Sequence, residues 1–530
     1  MTEHKSSNEV QRFDIVIHNA LIHYGDCSPP SRGMVGIRAD KIAAVGDCVS
    51  YESDITIDAQ GLVLSPGVID IHGHSDFSLL LHPHAESKIF QGVTTEVTGN
   101  CGLSATPLLG QAYERWKQRY AYKKLDIDWH EPDAYFERLR NAGTAINIVP
   151  LLGHTNLRTV LKGYTGDVLS SDDKKSLGIL LDKYLATGFW GVSFGLAYPP
   201  GIFADQDEIE LVMHHAREHA VYTSVHIRDE GAYVEESLDE VLNAVLKTKC
   251  SLQISHLKSY GSANWHKVGN CISKIENANA SGASVHFDRY PYCAFNTDLD
   301  AIIPQKLFDG GWNQAEKRLR NSNIARDTAS FLSGFFSVDD ADNIVISDIC
   351  DEKRGLIGKR LSDIIDRTSP DFWLDFIKFL VEIRFQGEAT FFLMNPDEMK
   401  TILSHPLCIV GSDSGVRSFD DESHPHPRVY GTFLQFIDTV IRENLMPLQE
   451  AVYKMTGLPA SKVGLHHRGI IKEGYFADLV LWNLKDIQGL PTYDNPIRKN
   501  TAVKMVWVNG KQVLPAVENE LFPGRVLLRT

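Results

Sequence analysis

Residues 70–76 read DIHGHSD and close the apolar run GVIDIH (67–72). Alternate residues of a strand share a face, so His72 and His74 project together if the strand runs through them. Gly73 between them leaves room for close approach. Four more residues able to bind metal end short β-type runs further on: Cys101 after TTEVTG, His226 in VYTSVH, His256 in SLQISH and Asp413 in LCIVGSD. A residue at the C-terminal end of a barrel strand faces the active-site mouth. Imidazole and thiolate are good zinc ligands. Six such residues on five strands would meet at one point, which predicts a metal hydrolase on an α/β fold, a (β/α)8 TIM-like barrel. A lone histidine in such a place reads as a hydrogen-bonded core residue. Two on one face, with further ligand types at other strand ends, read as a metal centre.

Working outward, INIVPLLGH (146–154), FWGVSFGLAY (189–198) and ASVHFDRYPY (283–292) bring the strand count to eight. Strand–helix alternation runs over 66–467, the pattern of a parallel barrel. Residues 12–65 and 468–530 instead alternate apolar and polar positions between Gly, Asp and Asn turns. The two ends are expected to pair into a small composite β-sandwich. Residues 1–11 are expected to be a disordered tail. The stretch 296–404 is too long for one barrel loop. Its amphipathic runs KRLRNSNIARDTASFLSGFF and SPDFWLDFIKFLVEIRF predict an inserted subdomain, part of which could cover the site.

Composition narrows the function. A hydrophobic share of 43% is that of a globular protein, and a formal charge of −15 argues against nucleic-acid or membrane partners. The N-terminal MTEHKSSNEV lacks the apolar core of a signal peptide. The eight cysteines show no CxxC spacing, so reduced thiols in a cytoplasmic protein are expected. The partner class is a small-molecule substrate, with the oligomeric state left open.

HxHxD, GNCG (99–102), HIRDEG (226–231), SHxK (255–258), YPY (290–292), GSD (411–413) and HPRVYGTF (426–433) follow in this order. From Asp14 to Val513 the chain thereby resembles the N-acyl-D-amino-acid deacylases (D-aminoacylases) of the amidohydrolase superfamily. HxH marks only the superfamily; the Cys in GNCG is more discriminating. The resemblance implies a zinc-dependent hydrolysis of N-acyl-D-amino acids. It implies one tight Zn²⁺ on Cys101, His226 and His256, and a second, weak site near His72 and His74. Asp413 is expected as general base. Lys258, Arg428, Tyr198 and Tyr290 are expected to clamp the substrate's α-carboxylate. Lys258 shares the face of His256 if that strand continues. After YPY the chain reads CAFNT where small hydroxyl residues are expected, so Asn296 stands where a serine would touch the carboxylate.

Other signals are weaker. Asp76 could orient a histidine or cap a helix. His215 to His219 fit an HxxEH pattern but lie in a run expected on the barrel's exterior. His154 is expected to satisfy loop carbonyls, while His82, His84, His466 and His467 are expected to have no metal role. Two rival readings stay open: another amidohydrolase activity (a cyclic amidase or an unusual dipeptidase), and a non-catalytic scaffold on the same fold.

Overall fold

The computed structural model describes residues 11–46, 50–121, 123–516 and 522–529. Eight short parallel strands form its centre: β1 (Val68–Asp70), β2 (Val93–Thr98), β3 (Asn147–Pro150, resumed at Leu152–Gly153), β4 (Gly191–Gly195), β5 (Tyr222–His226), β6 (Ser251–Ile254), β7 (Ser284–Arg289) and β8 (Cys408–Val410). Each pairs in parallel with its neighbour from β1 to β8. The ring closes just beyond the strands, where Gly73 bridges Ser414 in parallel and Asp413 N donates to His72 O (2.8 Å). The strands Val93–Thr98, Gly191–Gly195 and Tyr222–His226 are buried on both faces even though they mix apolar residues with Thr, Ser and Glu.

Both chain ends contribute to one eight-stranded sheet. Its order is Lys511–Leu514, Val503–Val508, Leu479–Trp482, Val63–Pro66, Gln11–Ile22, Ser31–Arg38 and Lys41–Gly46. The sheet branches at Gln11–Ile22, which pairs in parallel with Tyr51–Asp58 along its first part and with Val63–Pro66 at its end. Residues of that strand enter two apolar clusters: Phe13 and Val16 with Met34, and Ile15 and Ile17 with Val35 and Leu479. The tail expected over 1–11 lies outside the described residues except for Gln11, which opens this strand. Residues 524–529 leave the sheet and line the barrel, with Ile148 N donating to Arg525 O and Arg529 N to Gly188 O. A backbone outside its sheet must find other partners, and β3 supplies an acceptor as well, with Leu527 N donating to Ile148 O (2.8 Å).

Between β7 and β8 the chain builds a three-stranded antiparallel sheet from Phe295–Asp298, Ile344–Ile349 and Gly387–Phe391. Helices Ser322–Phe335 and Phe372–Glu382 pack on it around Leu332, Ile346, Phe376 and Leu380. The insert thus owns a core separate from the barrel's. The next helix, Pro396–Ser404, returns to the barrel and puts Met399, Ile402 and Leu403 into its main core. No described helix is long and apolar enough to cross a membrane.

Candidate metal centre and its surroundings

A cavity of about 1420 Å³ opens at the C-terminal end of the barrel strands, lined by His74, Cys101, Tyr198, His226, His256, Lys258, Asp413 and Arg428, with the insert on its far wall. Five of the six candidate ligands do not sit on strands; His226, the last residue of β5, does. Cys101 (φ +53°), His256 (φ +36°) and Asp413 (φ +51°) adopt the left-handed conformation just past β2, β6 and β8. L-residues rarely adopt it, and such residues cluster at functional sites. His72 and His74 likewise lie beyond β1, which ends at Asp70. Gly73 answers a local need: a Cβ there would stand 1.9 Å from Glu96 Oε1.

Two donor groups share Cys101. His72, His74, Cys101 and Asp413 form one; Cys101, His226 and His256 form the other, and within each group the ligand atoms lie within 4.8 Å of one another. Cys101 Sγ is 3.3 Å from His72 Nε2 and 3.6 Å from His256 Nε2. His74 Nε2 is 3.1 Å from Asp413 Oδ1. Burial opposes ionisation of Cys101, but the imidazoles of His72, His226 and His256 draw its thiol well below the usual range. A thiolate among imidazoles is a zinc donor set. His226 Nδ1 is buried with no hydrogen-bond partner, as a ligand nitrogen awaiting a metal would be. The residues therefore fit the ion that the sequence predicts.

Carboxylates behind the site aim the imidazoles. Asp288 accepts from His72 Nδ1 (3.0 Å) and from His256 N (2.8 Å), which leaves His72 Nε2 facing Cys101 and Asp413. Glu230 Oε1 lies 2.8 Å from His256 Nδ1 and accepts from Lys258 Nζ (2.6 Å). Burial alone would raise the Glu230 carboxyl; Lys258, His256 and His226 hold it well below the usual range. Sequence reasoning missed both acids. Their signals were position: Asp288 near the end of a barrel strand, and Glu230 four residues after His226 in HIRDEG. Partners of this kind fix the tautomer of a metal-binding histidine.

The expected clamp is placed unevenly. β6 ends at Ile254, so Lys258 is not on a continuing strand; the left-handed turn at His256 folds its ammonium back to 2.8 Å from His256 Nδ1. Arg428 reaches the cavity, but Nη1 is 2.7 Å from Asp413 Oδ2 and Nη2 donates to Asn296 O (3.3 Å). Tyr198 lines the cavity and its hydroxyl meets Thr297 Oγ1 (3.1 Å). Tyr290 lies behind the wall, fully buried, with Arg428 stacked 4.8 Å over its ring. Its contact is with Arg428 rather than with the cavity. Asn296 Oδ1 accepts from Thr390 Oγ1 (3.1 Å).

Asp76 neither orients a histidine nor caps a helix through a side-chain bond; Gly99 N donates to it (3.0 Å), which pins the GNCG turn. His154 pairs with buried Glu208 (2.7 Å) rather than with loop carbonyls. His215 and His219 both meet Asp182, on helices outside the barrel. His82, His84, His466 and His467 belong to neither donor group.

Comparison with known proteins agrees with this geometry. The amidohydrolase family model matches residues 56–290 and 373–514. The chain belongs to the amidohydrolase family. Within it, the chain is similar to N-acyl-D-amino-acid deacylases. An N-acyl-D-aspartate deacylase of Alcaligenes xylosoxydans xylosoxydans is 33% identical over 94% of this chain and 92% of its own. The structure of an N-acyl-D-glutamate deacylase from Bordetella bronchiseptica, with zinc and a phosphonate mimic of the tetrahedral intermediate, superposes with a TM-score of 0.82 at 30% identity. It covers 98% of this chain and 100% of that one. A D-aminoacylase described as having a binuclear metal centre, with one-metal activation and second-metal attenuation, gives 0.81 at 30% identity over the same shares. The amidohydrolase insert interrupts the family match between residues 290 and 373.

Proposed function

We propose that this amidohydrolase hydrolyses the amide bond of N-acyl-D-amino acids, releasing a carboxylate and a free D-amino acid. The observation that carries the reading is the sharing of Cys101 between two donor groups with Asp413 at their edge. Cys101, His226 and His256 would hold the tight zinc, and His72 and His74, with Cys101 and Asp413, a weaker second site. Bound zinc supplies the Lewis acidity that polarises the amide carbonyl and activates water near neutral pH.

The protein's own groups do the rest. Burial would raise the Asp413 carboxyl, but Arg428, His256 and His74 hold it well below its usual range, so it stands ionised. Asp413 takes a proton from the attacking water and delivers it to the amide nitrogen as the C–N bond breaks. The amine then leaves neutral, since an amine anion is too basic to leave. Lys258 receives the α-carboxylate, and Tyr198 also lines the cavity. With carbonyl and carboxylate fixed, the Cα substituent has one permitted direction, which favours one enantiomer. We also place the enzyme in the cytoplasm, a reading supported by the free thiols of all the described cysteines.

The test is a panel of N-acetyl amino acids in both configurations, assayed with zinc-loaded protein. Turnover of D-isomers with poor turnover of L-isomers is expected. Hydrolysis confined to cyclic amides would overturn the reading.

A further inference from the structure

Behind the candidate site, away from the cavity, sits a fully buried lysine that no step above uses. Lys88 lies on the short helix Glu86–Ile89 with no exposed surface. Its ammonium donates to Asp70 Oδ2 (2.7 Å), Ser412 Oγ (2.8 Å) and Ser414 O (2.9 Å), and lies 3.5 Å from Glu96 Oε2. Asp70, Ser412 and Ser414 belong to two of the chain segments that carry candidate site residues, and Glu96 lies on β2. Asp70 accepts from His72 N (3.2 Å), Ser412 N (2.9 Å) and Ser412 Oγ (2.5 Å). Glu96 accepts from Ser75 N (3.1 Å) and Ser75 Oγ (2.8 Å). One cation thus joins residues 70–75, with His72 and His74, to residues 412–414, with Asp413 at their centre.

Asp413 needs such a fixture. Its backbone is in the left-handed region, which costs free energy and relaxes unless its neighbours over-determine it. Ser412 is held on one side through Asp70 and Lys88, and Ser414 on the other through its carbonyl. A buried ion pair gives little net stability relative to an apolar pair of similar volume. What this pair supplies is geometry. Burial opposes the charge on Lys88, but Asp70 and Glu96 outweigh it and raise its pKa, so the lysine is held as a cation.

We propose that Lys88, through Asp70, Ser412 and Ser414, is the positioning residue that holds Asp413 in its strained conformation against His74. The proposal rests on the reading of Asp413 as proton carrier, and its test separates the two.

The experiment compares Lys88→Met with the charge-balanced pair Lys88→Met/Asp70→Asn, in which Asn still accepts from the His72 and Ser412 amides. In both, tight zinc should be retained, because Lys88 bonds to none of Cys101, His226 and His256. On N-acetyl-D-glutamate, kcat should fall at least about tenfold while KM stays within about threefold. In an Asp413→Asn background the same change should cost less than about twofold, because the group being positioned is already disabled. Crystal structures of the variants should show Asp413 withdrawn from His74, a readout independent of any substrate. Should the wild type ignore N-acyl-D-amino acids, the function reading fails while that structural comparison still decides the role of Lys88. The proposal is overturned if kcat stays within about twofold in a folded, zinc-loaded variant, or if the tenfold loss persists in the Asp413→Asn background. It is also overturned if Asp413 is unmoved, or if neither variant folds, which would make Lys88 a requirement of the fold.

Discussion

Arg428 Nη1 lies 2.7 Å from Asp413 Oδ2, so this cavity-lining arginine is already paired with the candidate base. Arg428 therefore serves two groups if it also meets substrate. Lys258 differs: its acid partner is Glu230, on the other side of the His256 ring from the Cys101-facing nitrogen.

This difference predicts distinct phenotypes. Lys258→Met should lower kcat/KM for N-acetyl-D-amino acids at least about tenfold, the worth of one charge-assisted hydrogen bond. It should matter far less for the matching carboxamides, which carry no charge. Arg428→Met should depress both substrate types, because it also releases Asp413. Steady-state kinetics on the paired substrates measure this; equal losses in the two variants on carboxamides would remove Lys258 from the clamp.

A second expectation concerns the metal. Cys101→Ala removes the only donor common to both groups. Zinc content of the purified protein should fall to background and turnover should vanish, since the thiolate is the anionic ligand of the tight site. Zinc at wild-type stoichiometry with normal activity in this variant would exclude the proposed centre.

Asp413→Asn should separate binding from chemistry. The amide keeps the side chain's shape but cannot take the water's proton, so kcat should fall by several orders of magnitude while zinc remains on Cys101, His226 and His256. Elemental analysis beside single-turnover rates checks it, and near-normal turnover with full zinc would rule out Asp413 as the proton carrier.

How far the sequence carries can be judged from particular residues. The barrel strands were legible as short runs rich in β-branched and aromatic residues, as VTTEVT and YTSVH are. The ligand candidates were legible because their types are rare at strand ends. Their conformation was not: nothing in TGNC, ISH or GSD announces a left-handed backbone, which tertiary hydrogen bonds impose. Lys88 was illegible for another reason. A lysine in HAESKIFQG reads as a solvated helix residue, and only the closure of β8 onto β1 brings Asp70 and Ser412 together around it. Asp288 and Glu230 could have been found by asking which acids share a strand end with a candidate histidine.

The last prediction concerns the far wall of the cavity. Asp298, Glu388 and Asp348 are direct cross-strand partners across the insert's sheet. Like charges opposite one another destabilise a sheet. The row is offset by the helix Gly110–Ala121, whose Arg119 bonds Asp298 (3.1 Å) and Glu388 (2.9 Å) from across the cavity mouth. Arg119 is about one-third exposed, so solvent screening limits the effect to about 1 kcal/mol. Arg119→Met should lower the thermal midpoint, and adding Glu388→Gln should recover most of the loss by removing the central charge. Burial works against ionised Glu388, but Arg119, Arg417 and Lys123 outweigh it and hold its carboxyl below the usual glutamate value. For an acid whose folded pKa is depressed, the stabilisation is present above the unfolded pKa and fades as pH falls toward the folded one. The gap between wild type and Arg119→Met should therefore be widest near neutral pH, narrow below about pH 4.5, and shrink in high salt as these partly exposed charges are screened. Calorimetry of the three proteins across pH and salt measures it. A gap unchanged by pH, by salt and by Glu388→Gln would mean that Arg119 acts through packing instead.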